Sequence, residues 1–445
     1  MDFNAIAAKV ERLLSSHPLD GWELVFSASR NLSIEVRESK VDTFKCSAPT
    51  GVSVRVLKEG GMGFAYSTSM DESDLSRMVD NALVAAQAQT PDEHYAFPSR
   101  ATFPELAGLL DEHLPGIQEE EKIKRTLALE RIALEADPRI KRVRKATYGE
   151  SRYEVHLRNS NGVDGYYGGT SVSSSVTAVA EENGDSQMGW DFGFSPRYSD
   201  VHVDAIAHNA AARATGLLGA RRIPTMRCPV VLDNHVASDI LEVLAPSFLA
   251  ENVQKGKSML AGKVGEKLFS PLLLIHDSGL LPGGMGTAPF DAEGVPQQDT
   301  LLASDGIIRA FLYDTLRGRK EGKPSTGNAV KGGIKSPPHN GVTNFFIENG
   351  DLSQTRLLAG LDRCVLITDV LGMHTANPVS GDFSVGATGF LVEKGKRLHP
   401  VKGIAISGNI LDLFRRVEAV GNDLRFFGSV GSPSLLIGEL DVSGD

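Results

Sequence analysis

Cysteine is scarce in this chain: three thiols, Cys46, Cys228 and Cys364, odd in number and far apart. That excludes a disulfide-framed secreted scaffold and a cysteine-built metal site, and predicts reduced thiols in a cytoplasmic protein. The start, "MDFNAIAAKVERLLSS", has no basic stretch leading into an apolar core, so no signal peptide is expected. Long apolar runs are missing too; "SPLLLIHDSGLL" breaks at His276–Asp277, well short of a bilayer span, so no membrane partner is expected. Nor is there an excess of positive charge. The net charge of −10 argues against wholesale attraction to nucleic acid. Neither His-Glu-x-x-His nor Cys-x-x-Cys occurs anywhere.

What the sequence does have is length and glycine. A chain of 445 residues divides into two or three domains, and 46 glycines imply many tight turns and a large β component. Residues 3–16 read as an amphipathic helix. The runs "WELVFSA", "LSIEVRES", "GVSVRVLKE" and "GMGFAYST" alternate with period two, which predicts an antiparallel meander. A capping box at Ser69–Glu72 is expected to open a helix running to about Gln89. Four prolines between 91 and 117 mark a linker. The pattern then recurs: helix, strands and closing helix. "MGFAYSTSMDESDLSRMVDNALVAA" and "MGWDFGFSPRYSDVHVDAIAHNAAARA" share Met-Gly-aromatic, a polar joint and a long helix. The expectation is α+β: an N-terminal lobe of two related helix–meander–helix units, 1–90 and 118–222, joined by linker 91–117. A β-rich C-terminal domain with few helices, 223–445, follows. The basic run "RIKRVRKA" reads as a solvated edge strand.

Several constellations carry possible chemistry. In "DNHVASDILEVLAPSFLA", residues 233–250, Asp233 or Asn234 caps a helix, and Pro246 should kink or stop it. His235, Asp239 and Glu242 share one face of that helix, a spacing that suits zinc but is also the polar face any amphipathic helix requires. "GDFSVGATGF" places Ser384 near Asp382 and His374 but misses the Gly-x-Ser-x-Gly elbow. "GKPSTGNAVKGG" fails as a phosphate loop, because Pro324 interrupts it and Gly332–Gly333 deny it a helix. The stretches around 290–298 and 372–384 are rich in turn-forming polar residues of the kind that line a peptide cleft.

The words "FDAEGVP", "STGNAVKGG", "NPVSGDFSVGATGF", "AISGNILDLF" and "VGND", in this order, resemble the C-terminal domain of the TldD/PmbA family. The N-terminal "LSIEVRESKVDTFK" and "GVSVRVLKEGGMGFAYST" fit as well, so the resemblance covers essentially the whole chain and is nearest to PmbA-type, TldE-like subunits. It implies proteolysis: two similar chains together form a metallopeptidase acting on small or unfolded peptides, and an older label for the family is modulator of DNA gyrase. In TldD-type chains zinc is held by a His-Glu-x-x-x-His helix and by a cysteine in a Cys-Gly-Lys segment. Here that helical motif falls on "LEVLAP", with Leu241 and Pro246 at the histidine positions and only Glu242 retained. No cysteine follows "VGND". The expectation is a subunit with no metal of its own, paired with a TldD-like chain that carries the zinc and also able to form a homodimer. Cavity-lining candidates are Asp291, Glu293, Thr326, Asn328, His374, Asn377, Asp382 and Ser384. The alternatives are an independent hydrolase with its own site, or a non-enzymatic adaptor of the gyrase-modulator kind.

Overall fold

The long second element sets the architecture. β1 (Gly21–Arg37) alternates strictly: Leu24, Phe26, Leu32, Ile34 and Val36 are buried on one face, while Glu23 and Val25 turn to the other. A strand with two buried faces must be covered on both sides. In the computed structural model, which describes residues 3–444, helices cover the first face and the C-terminal domain covers part of the second.

With α1 (Phe3–Ser15), β2 (Lys40–Ser47), β3 (Thr50–Lys58), β4 (Gly61–Ser67) and α2 (Glu72–Ala88), β1 makes the first unit. The second contains α3 (Glu119–Glu135), β5 (Ile140–Asn159), β6 (Asp164–Glu182), β7 (Asp185–Ser195) and α4 (Val203–Gly216). Both units contribute to one antiparallel seven-stranded sheet, ordered β4-β3-β1-β5-β6-β7 with β2 beside the far end of β1. α1 and α2 pack over Leu24, Phe26, Val52 and Val54; α3 and α4 pack over Ile34, Tyr148, Val172 and Val176.

The internal repeat has a physical cause. Gly63 of β4 lies beneath α2, and a Cβ there would stand 1.8 Å from the Ala82 carbonyl oxygen. Gly189 of β7 lies beneath α4, where a Cβ would stand 2.2 Å from the Ala210 carbonyl oxygen. Each Met-Gly-aromatic triplet is therefore the edge strand on which its unit's helix rests backbone to backbone.

One local expectation needs correction. α2 starts at Glu72, but Asp71 occupies the cap without a side-chain bond to the helix. Ser69 Oγ instead bonds Asp71 Oδ2 at 3.2 Å and accepts the Asp71 N–H, so the capping box is not made. The basic run opens β5, whose later residues are central in the sheet. Residues 140–145 project past β1, whose pairing with β5 stops at Val36–Ala146, so they pair with β6 alone and form the solvated edge that the sequence suggested. There Lys145 meets Glu35 at 2.9 Å.

Segment 91–117 forms one 3-10 turn, Leu114–Gly116, and otherwise lies against the sheet by borrowed hydrogen bonds. Asn159 Nδ2 donates to the Pro98 carbonyl at 2.9 Å, and Asn161 Nδ2 to the Phe97 carbonyl at 2.7 Å.

The C-terminal domain is β-rich. β8 (Met226–Leu232) pairs in parallel with Arg363–Leu371 and antiparallel with Leu435–Ser443. Lys396–Asn409 bonds both Asp382–Glu393 and Leu435–Ser443, so five strands of this six-stranded sheet close into a ring, with Val417–Val420 beside Leu435–Ser443. A second six-stranded sheet contains Ile275–Ser278, Asp299–Ser304 and Phe345–Ile347. The helices are short apart from α5 (Asn234–Leu244), which follows β8 directly and gives way at Ala245–Phe248 to a 3-10 turn containing Pro246.

Candidate functional site

The uncovered half of the N-terminal sheet and the C-terminal domain enclose a cavity of about 370 Å³. The sheet side is Val25 and Ser27 of β1, Tyr153 and Val155 of β5, and Tyr167 of β6. The opposite wall is built from residues 285–292 and 329–334, with Gln297 and Thr343. Tyr167 stands edge-on to Phe290 at 5.0 Å and to Tyr153 at 6.3 Å. Burial raises both phenols above their usual range, so they are neutral donors at physiological pH. A concave, mostly apolar space with a few fixed polar groups is the usual form of a ligand-binding site.

The wall is rigid because its carboxylates are spent on backbone. Asp291 accepts from the N–H groups of Glu293 and Val295 at 2.9 Å each and from Ala329 at 3.0 Å, which fixes the "FDAEGV" turn against the "NAVK" strand. Burial, and then Glu293, push its pKa well up despite those bonds. Glu293 accepts from Arg55 Nη1 at 2.9 Å and from the Thr315 N–H at 3.0 Å. Arg55 also clasps Glu23 through Nε and Nη2 at 2.9 and 2.7 Å. Burial alone would lower Arg55's pKa; Glu23 and Glu293 outweigh it and raise it. Deeper in the wall, Asn328 Nδ2 donates to Asp277 at 2.7 Å, and Thr326 Oγ1 donates to Asn328 Oδ1 at 2.6 Å. Thr343 closes the ladder by donating to Asp277 from Oγ1 at 2.6 Å and from N–H at 2.8 Å.

The eight cavity candidates therefore separate. Asp291 lines the cavity, and Glu293, Thr326 and Asn328 stand behind its wall. His374, Asn377, Asp382 and Ser384 are exposed on a different segment and do not line it. Asn377 accepts there from the Val379 and Ser380 N–H groups at 2.9 and 3.2 Å, and Asp382 accepts from Ser380 Oγ and Asn409 Nδ2 at 2.8 and 3.0 Å. Those are turn-forming bonds, and they hold the side chains to their own loop. Sequence reasoning missed Tyr153, Tyr167, Phe290 and Lys331 of the lining, and the clamp residues Glu23 and Arg55. The clamp left no local signal: Glu23 alternates with Leu24 and Arg55 with Val54 and Val56, the positions at which an alternating strand ordinarily meets solvent.

The segment on which the resemblance places the zinc-binding helical motif is α5. Asp233 caps it, accepting the His235 N–H at 3.0 Å. Val236, Ile240, Leu241 and Leu244 are fully buried. Leu241 thus points into the hydrophobic core, Glu242 is exposed, and Pro246 lies in the 3-10 turn. The strand pair Arg425–Phe427 and Val430–Ser432, downstream of "VGND", packs on α5, and it brings the Phe427 ring to 4.7 Å from His235. His235 and Asp239 approach to 3.8 Å; burial raises Asp239's pKa, with His235 opposing. His235, Asp239 and Glu242 share a face without forming a metal cluster: among the described residues no group of three or more His, Cys, Asp or Glu side chains could hold a metal. Hydrocarbon, a proline and an aromatic ring supply no lone pairs, so the residues here do not fit a zinc ion.

Three family models match the chain: the PmbA/TldA metallopeptidase domain 1 over residues 22–86, its central domain over 112–218, and its C-terminal domain over 225–444. The chain is 28% identical to the metalloprotease PmbA of Escherichia coli O157:H7, over 97% of this chain and 94% of that one. It is similar to a Thermotoga maritima crystal structure described as a proposed modulator of a DNA gyrase, with TM-score 0.92, 29% identity and coverage of 99% and 100%. The crystal structure of TldE from Thermococcus kodakarensis has TM-score 0.89 with coverage of 99% of each chain, and at 22% identity it speaks for the fold alone.

Proposed function

This chain belongs to the PmbA/TldD metallopeptidase family, and from that premise we propose that it is the metal-free subunit of a two-chain cytoplasmic peptidase. Its partner is a TldD-like chain that carries the zinc; its substrates are small or unfolded peptides. One observation carries this reading: Leu241, which the resemblance sets at a zinc-histidine position together with Pro246, is wholly buried in the core. A side chain committed to packing cannot turn outward to a metal without leaving a cavity. The chain's own contribution is to shape and dry the space that an extended peptide enters. The aromatic wall of Tyr153, Tyr167 and Phe290 excludes water, and the Asp291 turn holds the backbone opposite it.

Among the described residues no helix is long and apolar enough to cross a membrane. The test is a peptidase assay on the purified chain, on a TldD-like partner, and on the two mixed, each with and without chelator. Activity only in the mixture, abolished by chelator, supports the proposal. Chelator-sensitive activity of this chain alone overturns it.

A further inference from the structure

Lys331 lies in the lining of the interlobe cavity, within the "STGNAVKGG" word but outside every role described so far. It follows the short strand Ala329–Val330 and reaches across to the N-terminal sheet. There its Nζ donates to Ser53 Oγ at 2.8 Å and lies 5.5 Å from the centroid of the Phe64 ring. Ser53 is buried and pairs in register with Val25, itself part of the cavity wall. The ammonium is thus fixed at the cavity's edge, between β3, β4 and the loop it came from.

Its charge has no ion-pair partner. The nearby glutamates are engaged elsewhere, Glu23 by Arg55 and Glu293 by Arg55 and Thr315, and among the described residues no carboxylate forms an ion pair with Lys331. An ammonium has three donors, and Ser53 takes one. Burying a cation in this condition is costly unless something arrives to pair with it.

Resting on the reading of this space as the peptide cavity, we propose that Lys331 anchors the bound peptide by a carboxylate, either its C-terminal one or that of an acidic side chain. A carboxylate at Nζ supplies the missing charge and accepts the remaining N–H donors, and charge-assisted bonds of this kind are the strong ones. The Gly332–Gly333 pair that follows leaves room beside it, since a Cβ at Gly333 would meet nothing within 4 Å. Burial lowers Lys331's pKa to about 8, with Arg55 adding to the shift and Glu23 opposing it. The anchor should therefore weaken as pH rises through that value, facing Glu23 on β1, Arg55 and Ser53 on β3, Phe64 on β4 and Glu293 across the clamp.

The test is binding of fluorescently labelled short apolar peptides to the full chain, alone and with its partner subunit. Each peptide is supplied as free acid, as C-terminal amide, and as amide with one internal glutamate. Wild type should prefer the free acid, the glutamate amide or both over the plain amide by at least about tenfold, the scale of one hydrogen bond to a charged group. Lys331→Met should erase that preference while binding the amide as wild type does, and Lys331→Arg should retain much of it. Thermal melts of both variants establish that they are folded. Recovery of affinity by the internal glutamate identifies a side-chain carboxylate as the natural ligand; no recovery identifies the terminus. Equal binding of all three forms by wild type, or a carboxylate preference that survives in Lys331→Met, overturns the anchor and leaves the cavity reading standing. Failure of every peptide to bind overturns the cavity reading and the anchor with it.

Discussion

Arg55 of β3 and Glu293 of the C-terminal domain, 238 positions apart in the chain, meet at 2.9 Å with both side chains buried. The guanidinium, shared with Glu23, is the charged clamp between the lobes. Replacing one member strands the others in a low-dielectric site. Arg55→Met leaves two buried carboxylates and should cost about 3–5 kcal/mol of stability. Urea denaturation of wild type and variant measures this; a loss under about 1 kcal/mol would mean that the clamp is solvated.

Asp314 gives a pH signature. Its side chain accepts the Arg317 N–H at 2.7 Å, and its pKa is pushed from 3.8 up to about 6, first by burial and then by Glu293. Below the unfolded value the carboxyl is protonated in both states and no penalty exists. As pH rises from there to about 6 the unfolded chain ionises first, so stability falls; above that the full penalty remains. Asp314→Asn keeps the cap and cannot ionise. Its stability relative to wild type should grow over that window and then level off at about 3 kcal/mol at most. Denaturation midpoints across the pH range read the effect, and a flat difference would contradict it.

The two edge-strand glycines should fail alike. Gly63→Ala and Gly189→Ala each drive a methyl into helix backbone that has no rotamer with which to yield. Each should cost about 1–3 kcal/mol or more. Gly184→Ala is the control for lost space, since nothing lies within 4 Å of its Cβ position, and any cost there reflects its φ of +82°.

His374, exposed beside the Asn377–Asp382 turn, offers a sharp contrast. If that loop meets substrate or partner, His374→Ala lowers the activity of the reconstituted pair while changing stability by less than about 1 kcal/mol. Unfolding of the variant, or unchanged activity, removes this loop from the functional surface.

Much of this fold was legible because period and punctuation agreed. β1, β3 and β4 alternate cleanly, α2 and α5 carry an apolar stripe, and Pro246 marks the place where α5 gives way. The Met-Gly-aromatic echo announced the repeat, but its cause, backbone contact at Gly63 and Gly189, needed coordinates. The cavity was less legible. Asp291 and Asn328 stood out as polar residues in turn-rich words, yet nothing local distinguishes a carboxylate that holds its own backbone from one that faces a ligand. Lys331 was passed over because a lysine before two glycines reads as a surface loop. Its burial comes from Ser53 and Phe64, brought to it by the docking of the lobes. Capping at Ser69 failed for a related reason: the hydroxyl found a closer acceptor in Asp71.

The most direct measurement is the zinc content of this chain, purified without its partner and dialysed against metal-free buffer, by elemental analysis. With Leu241 in the core and Pro246 in the 3-10 turn, the retained metal should fall far below one equivalent. A full equivalent, lost on replacing His235 or Glu242 and accompanied by peptidase activity of the lone chain, would contradict the proposal that the metal belongs to the other subunit.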